Sequence, residues 1–216
     1  MRRGFIFDLD GVITDTAKYH YIAWKDLGAT LGITIDPVFN EQLKGISRMD
    51  SLDRILAYGG KETVYSKEEK EQLAEKKNDH YVELLQTLSP ADLLPGVKEF
   101  ISQAKERKIP CAIASASKNA PVILEKLGVT GYFSYIVDPD TLNRGKPDPE
   151  IFLKAAEALA VKPQEAVGFE DAQAGIDGIN AAGMYAVGIV ENEKLLGADQ
   201  LVYRLDELAI DELLKK

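Results

Sequence analysis

The chain has 216 residues, 45% of them hydrophobic and 28% charged, which excludes the disordered and collagen-like classes. At roughly 150 residues per domain, that length points to one full domain with a smaller attachment. Lys and Arg number 26 against 35 Asp and Glu, and the net charge of -9 argues against nucleic acid or an anionic membrane surface as a partner. Cys111 is the sole cysteine, which excludes an intrachain disulfide and a Cys-rich zinc site and makes the cytoplasm the expected location.

In chain order, the first apolar β-rich run is Gly4 to Phe7, which ends at Asp8 and is too short for a signal-peptide hydrophobic region. A long stretch of purely helical character follows, far more than a simple crossover between strands needs, so an insertion is expected there. Residues 16–88 are read as a helical cap. Thr14-Asp15-Thr16 and Ser89-Pro90-Ala91 form its two linkers, a pair that makes a hinge plausible.

Within the cap, His20, Ala23, Trp24, Leu27 and Leu31 share a face at helical spacing, and Thr16 continues it toward the linker. In a later helix Lys77 lies four after Leu73 and four before Tyr81, on a stripe continued by Leu84, Leu85 and Leu88. A Lys on an apolar stripe either snorkels to water or meets an anion.

Beyond the cap, strands are predicted at Pro110 to Ala114, Tyr135 to Val137, Ala166 to Phe169 and Tyr185 to Val190. Helices are predicted at Val97 to Lys108, Ala120 to Leu127, Glu150 to Leu159 and Ala174 to Ala182, with stop signals at Gly128 and Gly183. Strands alternating with helices mean a parallel sheet. Residues 1–15 and 89–216 are therefore read as an α/β, Rossmann-like doubly wound core.

The strongest chemical signal is Phe7-Asp8-Leu9-Asp10-Gly11-Val12-Ile13-Thr14-Asp15, a strand that delivers two carboxylates into a Gly turn at the sheet's carboxyl edge, where open α/β sheets bind ligands. A carboxylate attacking a phosphate dianion needs a cation to neutralise charge and an acid to protonate the leaving oxygen. Asp8 is read as the nucleophile and Asp10 as general acid and base. A second acidic pair, Glu170-Asp171, ends another predicted strand. Two such pairs repel one another and call for a hard divalent cation, Mg²⁺, bound by Asp8, Asp171 and the Asp10 main-chain carbonyl, with Glu170 as an additional or indirect ligand.

Ser115-Ala116-Ser117-Lys118-Asn119 follows a strand and opens a helix, offering hydroxyls, backbone N–H groups and a cation as a phosphate cradle; read alone it is ordinary capping. Lys146, in Gly145-Lys146-Pro147-Asp148-Pro149-Glu150, sits on a loop stiffened by two prolines and offers an ammonium to offset developing charge.

Together Asp8/Asp10, Ser115, Lys146 and Glu170/Asp171 resemble, in order, the four strand-end signatures of the haloacid dehalogenase superfamily of phosphotransferases. Within it the chain is similar to the β-phosphoglucomutase family through the first motif, His20, Trp24, Leu43-Lys44-Gly45-Ile46-Ser47-Arg48, Lys77-Asn78 and Ser115 to Asn119.

The resemblance implies that Asp8 is phosphorylated, that Asp10 is the acid/base, and that Asp8, Asp10, Glu170 and Asp171 form the Mg²⁺ site. It implies that Ser115, Ala116 and Lys146 contact the transferring phosphoryl group, while Arg48, Ser117, Lys118 and Asn119 hold the other phosphate. Thr16, His20 and Lys77 would couple cap closure to acid/base positioning. Trp24, Gly45, Ile46, Ser47 and Ser51 would form the sugar-facing wall.

The implied reaction interconverts β-D-glucose 1-phosphate and D-glucose 6-phosphate, with glucose 1,6-bisphosphate as the phosphoryl-donating activator, in a monomer whose partner is a small sugar phosphate. A guanidinium at Arg48 favours a substrate carrying a second phosphate over water. The alternatives are a phosphatase of the same superfamily hydrolysing a small phosphate ester, and a phospho-acceptor signalling module.

Overall fold

The computed structural model describes residues 1–43, 46–190 and 194–215. In it the chain divides into two compact units, Met1–Asp15 with Leu88–Lys216, and Thr16–Thr87. Leu88, which the sequence reading gives to the cap, groups with the first unit, because the 3-10 turn that follows the last helix of the insertion ends at Thr87.

In the first unit the short β-branched and aromatic runs form strands β1 (Gly4–Phe7), β2 (Cys111–Ile113), β3 (Tyr135–Ile136), β4 (Ala166–Glu170), β5 (Tyr185–Ile189) and β6 (Gln200–Val202). They make one 6-stranded sheet of order β3-β2-β1-β4-β5-β6 in which every pairing is parallel. Chain direction reverses its progress across this sheet between β1 and β4, and such a switch point leaves a crevice at the carboxyl ends of the strands.

The strands alternate faces as the pleat requires. Phe5 and Phe7 turn to one side with Phe100 and Phe169. There Phe7 and Phe169, in register across β1 and β4, stack at 4.4 Å between ring centroids. Ile6 turns to the other side, into a core with Phe152, Ile176 and Ile179. The next residues along the two central strands are Asp8 and Glu170, which the register brings side by side at the carboxyl edge of the sheet.

The second unit is helical: α1 (Ala17–Thr30), α2 (Pro37–Asn40), α3 (Arg48–Tyr58) and α4 (Lys67–Leu84). Asp36 caps α2, Ser47 caps α3, and Ser66 with Glu69 forms a capping box on α4, so local chemistry starts each of these helices. Helix α1 starts without a side-chain cap, because the Thr16 hydroxyl hydrogen-bonds the Tyr81 hydroxyl at 2.9 Å instead. Trp24, Leu27, Phe39, Leu52, Ile55, Leu56 and Ala74 form this unit's own core.

Helices α5 (Val97–Glu106), α6 (Ala120–Lys126), α7 (Glu150–Ala158), α8 (Gln173–Ala181) and α9 (Ile210–Leu213) complete the first unit. Strand β6 and helix α9 are additions to the predicted elements: Leu201 on that edge strand is 44% exposed, so the stretch lacks the continuous apolar signature of a buried strand. No helix among the described residues is long and apolar enough to cross a membrane.

Candidate active site

Asp8 lies one residue past β1, and its amide donates to the Phe169 carbonyl at 2.9 Å, which ties the strand end to β4. On the other side the Ala114 amide donates to the Phe7 carbonyl at 2.7 Å, bringing Ser115 to the same edge. The loop beyond Asp8 folds back on itself. Ile13 and Thr14 donate to the Leu9 carbonyl, Gly11 donates to Thr14, and the Thr14 hydroxyl donates to the Asp92 carbonyl at 2.8 Å.

Lys146 reaches this edge from the loop before α7. Its ammonium donates to Asp8 Oδ1 at 2.6 Å and also to Glu170 Oε1, with the lysine 5% exposed, Asp8 7% and Glu170 1%. The other Glu170 oxygen accepts the amides of Asp171 and Ala172, each at 2.9 Å. Glu170 thus orients the lysine and caps the turn into α8.

Two glycines let the carboxylates pack this closely. A Cβ on Gly11 would lie 2.0 Å from Asp171 Oδ2 in a backbone held at φ +72°, and a Cβ on Gly175 would lie 1.9 Å from Glu170 Cδ.

The electrostatics follow from burial. Desolvation, opposed by Lys146 and reinforced by Glu170, pushes Asp8 up to about 7. Asp171 is raised well above the usual carboxylate range, first by burial and then by Glu170, Asp8 and Asp10. Burial alone would lower Lys146, but Asp8 and Glu170 more than reverse it and hold the ammonium charged.

Asp8, Glu170 and Asp171 each offer an oxygen, all within 4.8 Å of one another. Octahedral Mg²⁺ with Mg–O near 2.1 Å spans about 4.2 Å between opposite ligands. A small closure of hard oxygen donors therefore suits this ion, and the surplus of carboxylates over ammonium in the cluster supplies the charge.

Ser115 is 4% exposed, and its hydroxyl accepts the Ser117 amide at 3.2 Å, while the Ser117 hydroxyl accepts the Asn119 amide at 3.3 Å. These local bonds shape the turn before α6, with Ala116 half-buried within it, and Lys118 pairs with Asp140 at the surface.

The second unit brings together another set. Lys77, 3% exposed, donates to His20 Nδ1 at 2.7 Å, and its ammonium lies 4.6 Å from the Trp24 ring and 4.8 Å from the Tyr81 ring. Because the ammonium has only protons to give, His20 Nδ1 accepts and the imidazole carries its proton on Nε2. Burial, then Lys77 and Arg48, hold His20 well below its ordinary value, so it is neutral at pH 7. Tyr81 stacks on His20 at 4.0 Å, and Arg48 Nη2 donates to Asn78 Oδ1 at 2.8 Å.

Trp24 is 3% exposed and belongs to the helical core, where its ring supports Lys77. Ser51 is also buried, and its hydroxyl donates to the Ser47 carbonyl at 2.9 Å. Ser47 caps α3, and Ile46 before it is half-buried. Gly45 lies outside the described residues.

The sequence reading leaves Asn78 and Tyr81 out of the site, although Tyr81 follows Lys77 by one helical turn and Asn78 is its neighbour, spacings that face it and Arg48 respectively.

The model of haloacid dehalogenase-like hydrolases matches residues 3–183. A β-phosphoglucomutase of Bacillus subtilis (strain 168) is 48% identical over 211 residues, covering 98% of this chain and 93% of its own length. A fructose-1-phosphate phosphatase of Escherichia coli (strain K12) is 32% identical, covering 86% of this chain and 95% of its own. The crystal structure of a β-phosphoglucomutase from Clostridium difficile superposes with a TM-score of 0.96 at 48% identity, covering 99% of this chain and 96% of that one.

Proposed function

The chain belongs to the haloacid dehalogenase-like hydrolase family, and from that premise we propose that it is a phosphomutase interconverting β-D-glucose 1-phosphate and D-glucose 6-phosphate. The observation that carries this reading is the near-full-length likeness to a β-phosphoglucomutase, well above the identity to the sugar-phosphate phosphatase.

With Asp8 phosphorylated at the expense of the bisphosphate activator, Asp10 takes the proton from the 6-hydroxyl of bound β-glucose 1-phosphate, whose oxygen attacks the aspartyl-phosphate and frees the Asp8 carboxylate. The product of this half is β-glucose 1,6-bisphosphate. In the second half-reaction an Asp8 oxygen attacks the 1-phosphoryl group of the reoriented bisphosphate while the bond to the sugar oxygen breaks, and Asp10 protonates that oxygen as it leaves, giving glucose 6-phosphate and rephosphorylated Asp8. Lys146 opposes the desolvation that raises Asp8, favouring its ionised form for attack, and offsets the charge that develops on the transferring group. Mg²⁺ held by Asp8, Asp171 and the Asp10 carbonyl, with Glu170 supporting through Lys146, would supply further charge neutralisation.

Ser115 and Ala116 would receive the transferring phosphoryl group. Arg48, Ser117, Lys118 and Asn119 would hold the other phosphate, where a guanidinium fork matches an oxyanion pair. Thr16, His20, Lys77, Ser47 and Ser51 belong to the same proposal as substrate-binding and supporting groups of the helical unit. Water offers Arg48 nothing to grip, which favours a sugar phosphate as acceptor.

The test is a coupled assay for glucose 6-phosphate formed from β-glucose 1-phosphate with Mg²⁺ and catalytic bisphosphate, run beside phosphate release. Isomerisation with little phosphate release is expected. Phosphate release without isomerisation moves the reading to a sugar-phosphate phosphatase, the activity named for the Escherichia coli relative.

A further inference from the structure

Lys146 is gripped at its head by Asp8 and Glu170, yet the loop that delivers it has an anchor of its own. Glu150, the first residue of α7, turns its carboxylate back over the loop. Its Oε2 accepts the amides of Asn143 and Arg144, both at 2.9 Å, and its Oε1 accepts Asn143 Nδ2 at 3.0 Å. Lys154, one turn further along the helix, pairs with Oε1 at 3.3 Å.

The far side of the loop is closed by Asp148. Its amide donates to the Gly145 carbonyl and its carboxylate accepts the Glu150 amide, both at 3.0 Å. Lys146 therefore sits between two clamped stretches, and the Glu150 carboxylate is the group that binds the earlier one. Slight burial pushes Glu150 up, but the Arg144 and Asn143 amides draw it below the usual carboxylate range, so it is charged at neutral pH.

The head contact alone is a poor guarantee of position. When the Asp8 carboxylate becomes an acyl phosphate it loses the charge that pairs with Lys146, whereas nothing in that step alters the bonds around Glu150.

We propose that Glu150 is a positioning residue for phosphoryl transfer, acting through residues 143–148 to keep the Lys146 ammonium in place while the charge on Asp8 changes. This rests on the reading of Lys146 as the cation of the transfer step, and not on which sugar phosphate is used.

The variant that tests it is Glu150→Gln, which keeps the size of the side chain but loses its charge and one acceptor; Glu150→Ala removes every bond. Steady-state kinetics would be measured with β-glucose 1-phosphate and, separately, as phosphate release from p-nitrophenyl phosphate with Mg²⁺. Thermal melting and hydrogen exchange of the segment 143–150 complete the set.

Expected for Glu150→Gln are faster exchange of the segment, a melting temperature within about 3 °C of wild type, KM within about twofold, and kcat lower by about tenfold to 100-fold, the scale set by an ångström of misplacement. Faster exchange with kcat per folded molecule unchanged would overturn the proposal, as would a rise in KM without a fall in kcat. A wild-type chain that cleaves p-nitrophenyl phosphate but does not isomerise the sugar phosphate would defeat the mutase reading alone, and the Glu150 comparison would then be read in that assay.

Discussion

The two units meet the same physical problem with opposite signs. In the sheet unit, Asp8, Glu170 and Asp171 crowd around one ammonium, and burial drives Asp8 up to about 7 and Asp171 well above its usual range. In the helical unit, Lys77 and Arg48 act on His20, which burial and those two cations hold neutral, while the rings of Trp24 and Tyr81 face the lysine. One cluster gathers negative charge about an ammonium and the other gathers cations about a neutral imidazole, and each unit can be tested by changing the charge it holds.

The largest effect is expected from Asp8→Asn, which removes the nucleophile. Isomerisation should fall by about 10⁴-fold or more, while far-UV circular dichroism stays as in wild type; substantial residual isomerisation would put the nucleophile elsewhere.

Lys146→Met removes the ammonium from between Asp8 and Glu170. Stripping one partner from a buried ion pair costs about 3 kcal/mol, or roughly 10 °C in melting temperature for a chain of this size. A scan that moves by less than a degree would show that the carboxylates do not depend on the lysine.

A smaller effect separates the sheet unit's charge from its packing. With Asp8 raised to about 7 from 3.8, the folded chain holds a proton across that interval that the unfolded chain has released. Metal-free stability from this group therefore falls as pH rises through it. Mg²⁺ must displace that proton, so its apparent affinity should weaken by about tenfold per pH unit below 7. Titrations followed by melting at pH 6 and pH 8 measure this, and equal affinities would contradict it.

The smallest expected effect lies in the helical unit. His20 is held below 6.5, so the unfolded chain takes up a proton before the folded one does. Stability contributed by this group is complete above 6.5 and drains away as pH falls from there toward the depressed value. Lys77→Met should move the His20 ring titration, followed by NMR, upward toward 6.5. A midpoint unaffected by Lys77 would remove the lysine from the account.

Much of the sheet unit is legible in the sequence because its chemistry is local. A short β-rich run ending in Asp8 or Glu170 announces both strand and site, and the register that sets them side by side follows from β1 and β4 being adjacent. Glu170 is harder to read: as one of two acids after a strand it resembles a metal ligand, and only the structure shows its oxygens bonded to Lys146 and to two amides.

In the helical unit, periodicity marks Lys77 and His20 as misplaced on an apolar stripe without saying what they meet. The answer, each other with Trp24 and Tyr81 around them, depends on the packing of α1 against α4, which no motif encodes. Trp24 shows the same limit, since an aromatic at core spacing reads equally well as a substrate wall or, as found here, as buried support.

Under the proposed function the sheet unit performs phosphoryl transfer and the helical unit selects the acceptor. That division is tested most directly by Arg48→Ala, comparing glucose 6-phosphate formed with phosphate released from β-glucose 1-phosphate. Losing charge-assisted bonds worth about 2 kcal/mol should cut isomerisation by roughly 30-fold and leave phosphate release nearly unchanged, so that their ratio collapses. If both activities fall together and the ratio holds, Arg48 does not choose the acceptor and the division of labour between the units is wrong.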